Sequence, residues 1–103
     1  MRPINQTVAA AQTLQIPLDI YQSPGEVYID CVPTGGATYG VQASNDDPFA
    51  GVPTNFTTTP PIAAATATAT QATISGVIPR QLYVTVAGTG SVAVRVIQMG
   101  VKG

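Results

Sequence analysis

Apolar residues recur at every second position in short runs along this chain, and no run shows the period of a capped helix. Leu14, Ile16, Leu18 and Ile20 alternate with Gln15, Pro17, Asp19 and Tyr21. Val27, Ile29 and Cys31 alternate with Tyr28, Asp30 and Val32, and Tyr39, Val41 and Ala43 with Thr38, Gly40 and Gln42. Leu82, Val84 and Val86 share a face opposite Tyr83 and Thr85, and Val92, Val94 and Val96 alternate with Ala93, Arg95 and Ile97. Period two is the mark of a strand with one buried face. Strands at this spacing with turns between them predict an all-β fold, a small antiparallel β-sandwich or jelly-roll-like barrel of six to eight strands.

Turn residues divide the runs. Gln22-Ser23-Pro24-Gly25 ends the first. Pro17 lies on the outward face of that run and cannot donate to a ladder, which predicts an edge strand or a bulge. Pro33-Thr34-Gly35-Gly36 predicts a hairpin of Val27–Val32 with Ala37–Ser44. Gly88-Thr89-Gly90 predicts a second hairpin between the last two runs. Asn45 to Thr59 is a loop with both phenylalanines, Phe49 and Phe56. A loop this long in a compact domain is commonly functional. Ile62–Thr73 repeats Ala-Thr, and β-branched Thr at alternate positions favours a strand, or an extended segment leading into one, over a helix. A short strand around Ile74 and Val77 follows. Residues 1–12 show no clear period and read as an N-terminal arm that can hold an irregular strand, 13–99 as one sandwich domain and 100–103 as a tail.

Charge decides which functions remain. Only 9% of the 103 residues are charged, against roughly 25% in a typical domain. Histidine is absent, which excludes a His-dependent triad and a His-ligated metal. One cysteine permits no disulfide within the chain, and Cys31 reads as a buried apolar residue. Four cations at net charge −1 cannot neutralise a phosphate track, so no nucleic acid is expected. No apolar run reaches the length of a membrane helix, and residues 1–11 lack the apolar stretch of a secretory signal, so no membrane partner and synthesis in a cytoplasm are expected.

Asp46-Asp47 before Pro48 reads as turn chemistry, with a weak calcium site as the alternative. The glycine turns precede strands rather than helices, so they do not cradle phosphate. Tyr21, Tyr28, Tyr39 and Tyr83 read as sheet packing, since their parities do not establish the shared exposed face that an aromatic platform for sugars or bases needs. Arg80 and Arg95 read as rim cations or partners of an Asp. Phe49 and Phe56 either plug an end of the sandwich or serve as exposed anchors. No constellation supports catalysis, and no cofactor is expected. An Ala- and Val-rich core of this size is marginal, and neutral, unguarded strand edges invite pairing. A homo-oligomer or a subunit of a larger lattice is therefore expected.

Three segments carry a resemblance. They are Pro17-Leu18-Asp19-Ile20-Tyr21-Gln22-Ser23-Pro24, the strand and loop from Gly36 to Asp47 (GATYGVQASNDD), and the region from Arg80 to Gln98 (RQLYVTVAGTGSVAVRVIQ). Together they resemble small virion structural proteins of tailed bacteriophages. Val86 before Ala87-Gly88 and the Ala-Thr stretch depart from that pattern. The resemblance implies a capsid decoration, or cement, protein on the outer capsid surface. Its partners would be the major capsid protein and itself, as a dimer or trimer on a local symmetry axis. The contacts expected are Arg2, Pro3, Ile4 and Val8 of the arm, with Phe49 and Phe56 of the loop. A tail, neck or fibre-associated virion protein is the alternative, and a host-surface carbohydrate-binding module is a second.

Overall fold

The computed structural model describes residues 4–18, 25–57, 60–76 and 78–100, which hold eight strands and no helix. They are β1 (Ile4–Ala9), β2 (Thr13–Pro17), β3 (Gly25–Thr34), β4 (Ala37–Ser44), β5 (Ile62–Thr66), β6 (Thr70–Gly76), β7 (Gln81–Gly88) and β8 (Ser91–Gly100). The turn expected at Gln22–Pro24, Val77 and residues 101–103 of the tail lie outside the described residues.

The pairing explains the architecture. β1 pairs with β8, β2 with β7, β3 with β6 and β4 with β5, all antiparallel. The chain is thus one long hairpin whose tip is the segment between β4 and β5. Rolling the hairpin sets β8 against β3 and β7 against β4. Two four-stranded sheets result, in the orders β1-β8-β3-β6 and β2-β7-β4-β5. This is a jelly roll, a β-sandwich of the kind the alternation predicts.

Both expected hairpins are corrected. β3 and β4 belong to different sheets, and so do β7 and β8. Their glycine turns are corners that carry the chain from one sheet to the other. Alternation and turn residues look the same in either case. A corner wins because it points two apolar faces at each other and buries both. The corners lie side by side, and the register runs unbroken through them. Gly25 faces Gly100, Thr34 faces Ser91, Ala37 faces Gly88 and Ser44 faces Gln81. A two-stranded ribbon therefore folds over as a unit at Gly35-Gly36 and Thr89-Gly90. Thr89 Oγ1 donates to Gly35 O at 2.6 Å across the fold. Gly90 has φ +93°, and a Cβ there would sit 2.1 Å from Thr34 O. Only glycine fits that position.

The core lies between the sheets. Val27, Ile29, Cys31, Val92, Val94 and Val96 face Ile16, Val41, Leu82 and Val84, all at most 1% exposed. Burying each such Val, Ile or Leu side chain stabilises the fold by about 1.5–3 kcal/mol. Tyr39, also 1% exposed, pins the layers: its hydroxyl donates to Thr68 O at 2.7 Å and lies 3.4 Å from Cys31 O.

The edges differ from the sequence expectation in one place. Where an arm is expected, residues 4–9 form β1, joined to β8 from Ile4 opposite Val96 to Ala9 opposite Ser91. An edge strand needs little apolar pattern, because backbone pairing and one buried side chain, Val8, hold it. β2 is an edge strand ending in exposed Pro17, as its proline predicts. The Ala-Thr stretch forms β5 and β6, one in each sheet. β5 is irregular: Tyr39 pairs with Thr66 but Val41 with Ile62, and Ala65 has φ +62°. Gly40 accommodates the bulge, since a Cβ there would lie 2.8 Å from Ala64 Cα.

Candidate interaction surface

The hairpin tip, over its described residues Asn45–Thr57, folds back over the outer face of the β2-β7-β4-β5 sheet. Ser44 and Gln81 point outward by strand parity, yet both are 0% exposed because the loop covers them. Gln81 Nε2 donates to Asp46 O at 2.9 Å, and Ser44 Oγ to Asn55 O at 2.5 Å. Gln15 Nε2, on β2, donates to Gly51 O at 2.7 Å and to Gln81 Oε1 at 3.2 Å. Thr57 N donates to Ala43 O at 2.9 Å. Three strands therefore tether one loop.

The loop is also closed on itself. Asp46 Oδ2 accepts the backbone N–H groups of Thr54 at 2.9 Å and Asn55 at 3.1 Å. These amides hold the Asp46 carboxyl below the usual aspartate value. Asp47 Oδ1 accepts Phe49 N at 2.9 Å, the turn role the sequence predicts. Arg80 lies 3.9 Å from Asp47, with both side chains well exposed, so that pair adds little.

This frame presents apolar side chains to solvent. Phe49 is 84% exposed and Val52 67%, so Phe49 is an outward side chain and not a plug. Phe56 is 37% exposed and tilts against Tyr83 of β7, ring centres 6.0 Å apart. Phe56 thus covers part of the outer sheet face. From Pro48 to Pro79 the chain carries no charged residue. Beside the loop, Asn45, Thr57, Pro60, Pro61, Ile74 and Pro79 line an open cleft of about 330 Å³.

The other expected contacts are distributed differently. Arg2 and Pro3 lie outside the described residues. Ile4 opens β1, on the far edge of the other sheet. Val8 is 5% exposed and faces the core, so it stabilises β1 and offers no surface. Val52, the half-buried amide of Gln15 and the buried amide of Gln81 were not legible as site residues. Val52 lies outside any periodic run, and the parity of Gln81 predicts exposure.

Chemistry elsewhere is sparse. Cys31 is buried, and desolvation, with Asp30 nearby, pushes its thiol up to about 11. It therefore stays protonated and unreactive. Among the described residues no three His, Cys, Asp or Glu side chains gather as a metal site. No helix among them is long and apolar enough to cross a membrane. No known family, curated protein or solved structure matches the chain.

Proposed function

We propose that this chain is a non-enzymatic structural protein of a tailed-phage virion, acting as a decoration protein over contacts between major capsid subunits. The motif resemblance between residues 17 and 98 points to the virion. The observation that carries the role is the loop tip. Phe49 and Val52 stand exposed on a segment tied by backbone and side-chain hydrogen bonds to three strands. A side chain held out in this way loses little entropy on docking, which suits an anchor in a partner's apolar pocket. From Pro48 onward the loop is uncharged, and the exposed charges at its base, Asp47 and Arg80, are of opposite sign, so such a contact depends little on ionic strength.

Imaging of purified particles tests the placement, and density for this chain on the outer shell is the expected result. Phe49→Ala combined with Val52→Ala should leave the fold intact and lower shell occupancy at least tenfold, as loss of a central anchor does. Density on the tail or neck, or undiminished occupancy, overturns the decoration role. Because residues 4–9 form β1, a test of the N-terminal contact removes residues 1–3 only.

The Phe56–Tyr83 pair, flanked in register by Gln15 and Gln42, favours a second reading as a carbohydrate-binding module. Aromatic faces beside amide groups suit sugar rings. Glycan-array binding by the isolated chain, lost in Tyr83→Ala, would support that reading against the first.

A further inference from the structure

Four strands lie at sheet edges, and three of them are blunted. β2 ends in exposed Pro17. β5 is broken by its bulge and by Ala65 at positive φ. On β1, the Arg95 side chain reaches across from β8 and donates from Nε to Asn5 Oδ1 at 3.0 Å, which sets a cation at that edge. Prolines, bulges and charges are the usual protections against edge-to-edge pairing. β6 has none. It runs Thr70-Gln71-Ala72-Thr73-Ile74-Ser75-Gly76, regular against β3 over its whole length, within the uncharged stretch from Pro48 to Pro79.

We infer that β6 is a self-association edge, where a second copy of this chain pairs its own β6 antiparallel across a two-fold axis at Thr73. An antiparallel edge is complementary to itself, so one unpaired row of backbone groups meets its equal. With Thr73 on the axis, Gln71 faces Ser75 of the second copy and Ala72 faces its Ile74. Ala72 and Ile74 pack against the core yet stay only half-buried. Each would then be covered by the other, and the two cores would join through one eight-stranded sheet. Thr73 and Ile74 border the open cleft of about 330 Å³ together with Thr57, Pro60 and Pro61, which leaves room beside the strand for approach. The acidic groups nearest the seam are Asp30, paired with Gln71, and Glu26, paired with Ser75. Asp30 and Glu26 of the second copy would stand three strand spacings apart, about 14 Å, beyond the reach of unscreened repulsion. This inference rests on sheet geometry and holds whether or not the virion reading does.

Sedimentation of the whole chain across the micromolar range tests it. A dimer of twice 10.5 kDa is expected. Thr73→Lys sets two ammonium groups opposite each other on the axis and should halve the mass while far-UV circular dichroism stays unchanged. Thr73→Cys tests the register without disturbing the strand. Its thiol would face its own copy and form an intermolecular disulfide under mild oxidation, while Gln71→Cys would not. Cys31, at 0% exposure, stays silent in that assay. A monomeric wild type, a dimer that survives Thr73→Lys, or crosslinking through Gln71→Cys in place of Thr73→Cys overturns the inference.

Discussion

Ala11, in the turn between β1 and β2, holds φ +64° although it has a Cβ. A left-handed conformation costs alanine about 1 kcal/mol more than glycine. Ala11→Gly should therefore raise stability by roughly 0.5–1 kcal/mol in urea titration. Gly90→Ala should do the opposite, because the added methyl collides with Thr34 O at the corner. A loss of roughly 2–4 kcal/mol is expected from strain and clash together. Tyr39→Phe leaves Thr68 O without its donor and should cost about 1 kcal/mol. Asp46 gives the loop a pH dependence. The amides of Thr54 and Asn55 bind its charged form and hold its carboxyl below the ordinary 3.8. That stabilisation is complete above 3.8 and is lost as the pH falls through the lowered value. Exchange protection at Thr54 and Asn55 should fall in acid, and Asp46→Asn should flatten the response.

At the scale of elements, the strands were legible and their partners were not. Alternation located the inward faces of β3, β4, β7 and β8, because each of those strands buries one complete face. It did not distinguish a hairpin from a corner at Gly35-Gly36 or Thr89-Gly90. Both turns need positive φ, and only the position of the opposite sheet decides between them. β1 shows no such pattern for the converse reason: among its described side chains only Val8 is buried, so no apolar alternation marks it. The loop was legible as long and aromatic. Its tethers were not, since Gln81 becomes a buried linker only once residues far along the chain fold over it. Leu82→Ala, in the middle of the buried layer, should cost about 2–5 kcal/mol, whereas Phe49→Ala should leave stability within about 0.5 kcal/mol of wild type. Paired urea titrations separate these two roles.

For the whole molecule, the pairing of β1 with β8 and of β2 with β7 means that strands from the two ends of the chain lie side by side, far in sequence from the tip in the middle. Almost every stabilising contact joins residues distant in sequence. Folding should take milliseconds to seconds, as in other β-sandwiches, and stopped-flow traces should show it. The shared corner has an evolutionary consequence. A residue inserted into one turn would shift the two ribbon strands out of step and turn the buried face of a whole strand toward solvent. Length changes at Gly35-Gly36 must therefore be matched at Thr89-Gly90, whereas the tip between β4 and β5 can grow or shrink alone. Descendants of this fold should diversify at the tip and keep the crease at fixed length.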